Sequence, residues 1–202
     1  MITTVIFDLF GTLLEMEHDS HPFVQLARRT SKMSVKEALH LSLINECNSL
    51  SDYSSLIGLP PQNDIQLLES QLKNDISSAQ LYNDTISTLE TLKNRGLKLV
   101  LISNLATPYK QVVASLKLDK YFMSTVYSCD TGYCKPGTTI YELGIISAFS
   151  LPSQTLMIGD SFKSDVEGPS YVGIKGIQLI RDNYIKPNEF EISSLEDVIK
   201  LI

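Results

Sequence analysis

Short apolar runs without polar alternation recur along this 202-residue chain. Four of them are rich in Val, Ile and Leu and are followed by polar residues; they span residues 3–7, 97–102, 155–158 and 176–180. Strands that are buried on both faces of a parallel sheet carry such continuous runs. We therefore predict four central strands, with a weaker fifth strand around residues 124–128.

Helical patterns lie between these runs in the second part of the chain. Residues 84–95 carry apolar side chains at a spacing of three and four, and Gly96 is a typical helix stop. Residues 108–118 and 137–148 repeat the pattern, and residues 194–197 resemble a capping box. Alternating strands and helices predict an α/β fold with a doubly wound, mainly parallel, Rossmann-like sheet.

The long segment between the first and second strands breaks this alternation. Its pattern of apolar residues predicts helices and shows no convincing strand. The predicted helices span residues 21–30, 35–49 and 62–76. Because connections within a sheet are usually short, we predict a small all-helical cap domain at residues 15–82. The Rossmann-like core would then consist of residues 1–14 and 83–202.

Composition narrows the range of partners. Seventeen basic and 23 acidic residues give a net charge of −6, which argues against binding to nucleic acid through phosphate contacts. The longest apolar run is far shorter than the ~20 residues of a membrane span, and no secretory pattern is visible. Three cysteines do not indicate a disulfide framework. We expect a cytoplasmic protein that acts on a small anionic molecule, without a nucleic-acid or membrane partner.

Polar residues gather where the predicted strands end. In open α/β sheets, ligands bind in the crevice outside the carboxyl ends of the strands. The residues at or just beyond those ends are Asp8, Ser103, Asn104, Lys135, Asp160 and Asp165. We therefore expect these side chains to converge on one crevice.

This set of side chains is suited to phosphoryl transfer. A carboxylate such as Asp8 can attack an electrophile and form a covalent intermediate. Because a phosphoryl group is negatively charged, cations must lie close to it, and Asp8 and Asp160 can share a Mg²⁺ ion with the backbone carbonyl of Phe10. Lys135 adds a second positive charge, and Ser103 can hold a phosphoryl oxygen.

Four short motifs in this order resemble those of the haloacid dehalogenase superfamily. They read FDLFGTL at residues 7–13, LISN at 101–104, KP at 135–136 and IGDSFKSD at 158–165. The resemblance covers the whole predicted core, and the helical segment is similar to the cap that many members insert after the first strand. Four motifs in register are specific, whereas each alone is weak.

The resemblance implies a role for each matching residue. Asp8 would be the nucleophile, Ser103 a phosphate contact, and Lys135 the cation that stabilises both Asp8 and the substrate. Asp160 would bind Mg²⁺ directly, and Asp165 would bind it through water or orient Lys135.

The resemblance also implies supporting roles in the two loops that follow the first and second core strands. Thr12 would brace the first loop and belong, with Asn104, to the phosphate-binding set. Phe10 would contribute only its backbone carbonyl to the metal.

Phe10 departs from the family pattern. Phosphatases of the superfamily carry an aspartate there, which protonates the leaving group, and loss of such an acid lowers rates by ~10² to 10⁴. The 2-haloacid dehalogenases carry an aromatic residue at this position, so dehalogenation is one alternative. The carboxylates of Asp160 and Asp165 instead favour a metal, which relieves their repulsion with Asp8. We therefore predict a Mg²⁺-dependent phosphatase for a small phosphorylated metabolite; a catalytically impaired ligand-binding protein is an alternative of another class.

Overall fold

Eight strands form two sheets in the computed structural model, which describes residues 1–181, 188 and 190–202. The strands are β1 (Thr4–Phe7), β2 (Leu14–Met16), β3 (Ala79–Leu81), β4 (Lys98–Ser103), β5 (Ser124–Tyr127), β6 (Thr155–Gly159), β7 (Lys175–Leu179) and β8 (Glu191–Ile192). Six of them form a parallel sheet in the order β5-β4-β1-β6-β7-β8, and β2 and β3 form a separate pair. Residues 182–187 and 189 of the predicted core lie outside the described residues.

The predicted α/β class with a mainly parallel sheet is confirmed. The four apolar runs are β1, β4, β6 and β7, and the weaker fifth strand is β5 at one edge. The chain leaves β1 first towards β4 on one side and later returns to β6 on the other. The sheet therefore reverses its winding direction at β1, which is where such folds place their ligands. The opposite edge strand, β8, was not predicted, since its two residues are too few for a periodic signal.

The central strand is buried on both faces, as its continuous apolar run requires. Val5, Ile6 and Phe7 are all fully buried. Ile6 packs into a cluster with Tyr141 on one face of the sheet, whereas Val5 and Phe7 belong to the larger cluster with Leu92 on the other face. Successive side chains of a strand point to opposite faces, so each face has its own apolar core.

Helices cover both faces of the sheet. The helices are α1 (Pro22–Ala27), α2 (Val35–Ile44), α3 (Leu50–Leu56), α4 (Ile65–Ser77), α5 (Thr85–Asn94), α6 (Gln111–Ser115), α7 (Ser128–Thr131), α8 (Thr138–Ser147) and α9 (Gly168–Ser170). Helices α5 and α8 lie where they were predicted. The predicted helix at 108–118 is instead a 3₁₀ turn followed by the short α6, and a 3₁₀ helix follows the predicted cap residue Ser194. Within the described residues, no helix combines the length and apolarity that a bilayer span needs.

The segment between β1 and α5 has four helices where three were predicted. The predicted helix at 35–49 ends at Ile44, because Asn45 adopts an extended backbone conformation. A new helix, α3, then begins at a capping box in which Ser49 and Asp52 bond reciprocally to each other's backbone N–H groups. Satisfying these otherwise unpaired N–H groups makes the restart favourable.

Two short strands lie at the ends of this segment, where no strand was predicted. Leu14–Met16 pairs antiparallel with Ala79–Leu81, so the chain enters and leaves the helical segment through adjacent strands. Three residues are too few to show alternation, and the pairing depends on contacts between positions more than 60 residues apart. The helical segment rests on the core through α2 against α7 and α4 against α6.

Candidate active site

Asp8 lies at the carboxyl end of the central strand. Its backbone N–H donates to the carbonyl of Ile158 at 2.9 Å, so the chain stays in the sheet up to this residue. The chain then turns sharply at Gly11, which has a φ of 76°, a conformation that favours glycine. A Cβ atom at Gly11 would lie 2.5 Å from Oδ2 of Asp160. Glycine at this position therefore permits both the turn and the close approach of the fourth motif.

Lys135 joins two carboxylates in a buried cluster. Its Nζ atom lies 2.8 Å from Oδ1 of Asp8 and 2.7 Å from Oδ1 of Asp165. Burial alone would lower the pKa of Lys135, but the charges of both carboxylates and their hydrogen bonds raise it above its usual value. The side chain is therefore an ammonium ion placed directly beside Asp8.

Asp165 is fully buried and uses both of its carboxylate oxygens. Oδ1 accepts from Lys135, and Oδ2 accepts from the backbone N–H of Ser161 at 3.0 Å. Burial raises the pKa of Asp165 to about 6, with the charge of Asp8 acting in the same direction and Lys135 opposing it. The carboxyl group packs against Gly159, where a Cβ atom would lie 2.2 Å from it. Glycine at the end of β6 thus makes room for the aspartate six residues later.

The side chain of Asn104 forms two hydrogen bonds to the backbone of Lys135. Its Nδ2 donates to the Lys135 carbonyl and its Oδ1 accepts from the Lys135 N–H, both at 2.8 Å. These two bonds hold the Lys135 loop against the end of β4, so Asn104 positions this loop. Asn104 also lines the cavity beside Asp8, and its phosphate-binding role stays a prediction. Ser103, the last residue of β4, lines the cavity that also contains Asp8 and Lys135, as predicted from the strand ends.

Thr12 does not reach the cavity. It is fully buried, and its place in the phosphate-binding set stays a prediction. Within the described ranges its Oγ1 has no hydrogen-bond partner, whereas its carbonyl accepts from Nη2 of Arg181 at 2.6 Å. The bracing of the first loop therefore involves the backbone of Thr12 and an arginine from the end of β7.

Arg181 is a residue that sequence reasoning missed. Its guanidinium lies 3.1 Å from Oδ1 of Asp84 and 3.6 Å from the centroid of the Tyr82 ring. Burial alone would raise the pKa of Asp84, but hydrogen bonds from Arg181, Leu195 and Ser194 lower it below its usual range. The only sequence signal was a charged residue directly after an apolar run, which is too common to be specific.

Three carboxylates form a group that fits a hard cation. Asp8, Asp160 and Asp165 each offer one oxygen, and these oxygens lie within 4.8 Å of one another. Asp160 is open to solvent, and its pKa is raised by partial desolvation and by the charge of Asp8. Carboxylate oxygens are the donors that Mg²⁺ prefers, and a cation would relieve this repulsion. The donor set therefore fits the Mg²⁺ ion that the sequence predicted.

Phe10 forms one wall of the cavity beside Asp8. This cavity has a volume of about 130 Å³, and Phe10 lines it together with Ser103, Lys135 and Asp165. The Phe10 ring meets the ring of Tyr109 edge to face, with centroids 5.9 Å apart and an interplanar angle of 82°. The ring is thus held by packing, in line with its lack of any polar function.

Comparisons with known proteins agree on one family. The sequence model described as "haloacid dehalogenase-like hydrolase" matches residues 2–173. A phosphoglycolate phosphatase from Aquifex aeolicus is 30% identical over 136 residues, covering 65% of this chain and 63% of that protein. A glyceraldehyde 3-phosphate phosphatase from Methanothermobacter thermautotrophicus is 25% identical over 127 residues, covering 59% of this chain and 56% of that protein. The matches thus span little more than half the length of these relatives.

Solved structures share the whole fold at low sequence identity. A phosphatase from Thermococcus onnurineus has a TM-score of 0.70 at 24% identity, covering 99% of this chain and 97% of that one. A 2-haloacid dehalogenase from Pseudomonas syringae pv. tomato has a TM-score of 0.66 at 19% identity, covering 100% and 98%. Because both activities occur on nearly the same fold, the fold does not distinguish between them.

Proposed function

Because the chain belongs to the haloacid dehalogenase-like hydrolase family, we propose that it is a Mg²⁺-dependent phosphatase with Asp8 as its covalent nucleophile. The observation that carries this proposal is the buried contact of Asp8 with Lys135, at 2.8 Å, next to the carboxylates of Asp160 and Asp165. The phosphatase names of two relatives support the reaction class. The substrate would be a small phosphorylated metabolite.

The proposed reaction begins with attack by Asp8. One carboxylate oxygen forms a bond to phosphorus while the bond from phosphorus to the leaving oxygen breaks, and the electron pair departs with that oxygen. Water then attacks the phosphorus of the aspartyl-phosphate, which releases inorganic phosphate and restores Asp8. Lys135 stabilises the negative charge that builds up on the phosphoryl oxygens, and Ser103 donates a hydrogen bond to one of them.

The residues that would hold Mg²⁺ are Asp8, Asp160 and the backbone carbonyl of Phe10. When bound, the ion neutralises part of the phosphoryl charge that would otherwise repel Asp8. Asp165 would act through water or by orienting Lys135. The second role is supported by its two existing hydrogen bonds, which leave neither carboxylate oxygen unpaired.

Residues 15–82 would act as a cap that covers the site and selects the substrate, with the β2–β3 pair as its connection to the core. Closure of such a cap would exclude water from the aspartyl-phosphate until hydrolysis. We also expect a cytoplasmic location, in keeping with the free thiols of Cys47, Cys129 and Cys134.

One observation favours dehalogenation as the second candidate. Phe10 places an apolar ring beside Asp8, and a departing halide needs no proton. Attack on a neutral carbon, however, requires neither a cation nor the carboxylate of Asp160. The group of three carboxylates within 4.8 Å is therefore the reason that we rank phosphate release first.

A test compares the unmodified protein with Asp8→Asn, using acetyl phosphate as the probe. We expect Mg²⁺-dependent phosphate release that EDTA abolishes and that falls by more than about a thousandfold in Asp8→Asn. Asp130→Asn is a matched control, because Asp130 also pairs with a lysine at 2.7 Å but on the surface. Activity that survives in Asp8→Asn would exclude Asp8 as the nucleophile.

Two further results would redirect the functional assignment. Halide release from 2-chloropropionate in EDTA, without phosphate release from any probe, would establish the dehalogenase. Phosphate binding without turnover of either probe would establish a ligand-binding protein.

A further inference from the structure

A second cavity, of about 320 Å³, adjoins the smaller one that contains Asp8. Phe10 and Asn104 line both, so the two cavities meet at a common boundary. The larger cavity lies between helices α1 and α2 on one side and the residues after β4 on the other. A phosphate ester with its phosphoryl group beside Asp8 can therefore extend its leaving group into this space.

The larger cavity, which we call the leaving-group cavity, is lined mainly by apolar and aromatic side chains. Phe10, Phe23, Leu39, Leu43 and Tyr109 are among them. The Tyr109 ring lies 6.0 Å from the Phe23 ring and 5.9 Å from the Phe10 ring, so three aromatic rings form a continuous wall. Such a wall favours a flat apolar group, through burial of its surface and ring packing.

The charges around the leaving-group cavity select against a second anionic group. Asp19 contributes a carboxylate to the lining, paired with His21 at 2.7 Å. No lysine or arginine lines the cavity in the part of the chain that the structure describes. A leaving group with a carboxylate or a second phosphate would meet the Asp19 carboxylate, and the His21 imidazole that also lines the cavity is already paired with Asp19, so such a group is disfavoured.

Among the residues that the structure describes, the smaller cavity has no carboxyl or imidazole group free of Lys135 that could protonate a leaving oxygen. Its ionisable lining residues are Asp8, Lys135 and Asp165, and Lys135 donates a hydrogen bond to each of the two aspartates. The remaining lining groups described there are the Phe10 ring, the Asn104 amide and three serine hydroxyls. A leaving group must then depart as an anion, which requires a low pKa. A phenol has a pKa of about 10, whereas an alcohol resembles water at about 16.

From these observations we infer that the substrates are aryl phosphates with an uncharged apolar ring. This inference rests on the proposed phosphatase function. The ring occupies the leaving-group cavity. A bond forms between Asp8 and phosphorus as the bond from phosphorus to the aryl oxygen breaks, and the electron pair leaves as a phenolate. The phenolate takes its proton from solvent, and water hydrolyses the aspartyl-phosphate.

The first test compares kcat/KM for phenyl phosphate with that for cyclohexyl phosphate, which matches it in size and polarity. We expect a preference for phenyl phosphate of at least about 100-fold, because the missing acid is worth about 10² to 10⁴. Across substituted phenyl phosphates, kcat/KM should fall steeply as the pKa of the phenol rises. Phe10→Asp should weaken the dependence of kcat/KM on the pKa of the phenol and lower the preference for phenyl over cyclohexyl phosphate. Phe10→Leu should not weaken that dependence.

A second test addresses the leaving-group cavity itself. Leu39→Ala removes part of its lining, and Leu67→Ala is a control on the exposed face of α4. The ratio of kcat/KM for phenyl phosphate to that for acetyl phosphate should fall about tenfold in Leu39→Ala, since two lost carbon contacts amount to about one decade. The ratio should stay unchanged in Leu67→Ala.

The possible outcomes separate the two proposals. Equal rates for the phenyl and cyclohexyl esters would overturn the aryl preference while leaving the phosphatase intact. Equal rates that become unequal in His21→Gln would overturn it too, by identifying His21 as the acid. Absence of phosphate release from acetyl phosphate as well would remove the phosphatase, and this inference with it.

Discussion

Replacing Lys135 with methionine tests how strongly the buried charges depend on one another. Methionine retains an unbranched apolar stem but lacks the ammonium group, which lies 2.8 Å from Asp8 and 2.7 Å from Asp165. Both carboxylates are buried, so the variant would leave two negative charges facing each other with no cation from the protein. We expect a large loss of stability that depends on pH.

The expected loss follows from the burial of the cluster. Removing one partner of a buried ion pair costs about 3–5 kcal/mol. With a urea m-value of at most about 3 kcal/mol per molar, the midpoint should fall by at least about 1 M. The pKa of Asp165 is already raised by burial, and loss of Lys135 raises it further. Because the pKa of Asp165 is higher in the folded state than in the unfolded state, its contribution to stability is present below the unfolded-state pKa of about 3.9 and is lost as pH rises. The deficit should therefore be largest at pH 8 and smaller at pH 5.

Urea unfolding followed by far-ultraviolet circular dichroism, in EDTA at both pH values, measures this deficit. Lys110→Met is the matched control, since Lys110 pairs with Asp130 at 2.7 Å while both side chains are about one-third exposed. That surface pair should contribute less than about 1 kcal/mol. A Lys135→Met deficit as small as that of the control, or one that is equal at both pH values, would refute the electrostatic reasoning.

Two further variants test packing and charge elsewhere. Gly159→Ala would place a methyl group 2.2 Å from the Asp165 carboxyl, so we expect a loss of about 1–3 kcal/mol and a marked fall in phosphate release. Unchanged urea midpoint and activity would contradict this. Asp84→Asn should lose about 1–3 kcal/mol at pH 7, because Asp84 accepts hydrogen bonds from Arg181 and Ser194. The folded-state pKa of Asp84 is lowered, so its stabilisation is present above about 3.9 and is lost as pH falls through the folded value. The loss of stability in Asp84→Asn should therefore be smaller at pH 3 than at pH 5. A difference in urea midpoint between the variant and the unmodified protein that is the same at pH 5 and pH 3 would count against this.

The placement of several predicted site residues followed from strand ends alone. Asp8 and Ser103 lie at the carboxyl ends of neighbouring parallel strands, and those ends meet at one edge of the sheet. Asp160 follows the next strand on the other side of β1, so its approach to Asp8 was predictable in the same way. The orientation of Thr12 was not predictable in this way, because its position in a motif does not reveal whether the side chain points into the core, where it lies, or into the cavity.

The amino-acid sequence by itself determined the strands β1, β4, β5, β6 and β7, the helices α5 and α8, and the edge of the sheet at which the charged residues gather. Those features follow from local periodicity and from the short apolar runs that a buried strand requires. Only the tertiary structure decided what depends on distant pairs: the contact of Arg181 with Thr12, the two hydrogen bonds of Asn104 to Lys135, and the β2–β3 pair.

The leaving-group cavity belongs to the second class. Its aromatic wall combines Phe10, Phe23 and Tyr109, which lie in three separate parts of the chain and meet only in the folded protein. No local pattern encodes such a surface, since its shape depends on how two packed layers meet. The motif containing Phe10 therefore predicted the loss of an acid, and the tertiary structure added the apolar cavity from which we infer an aryl leaving group.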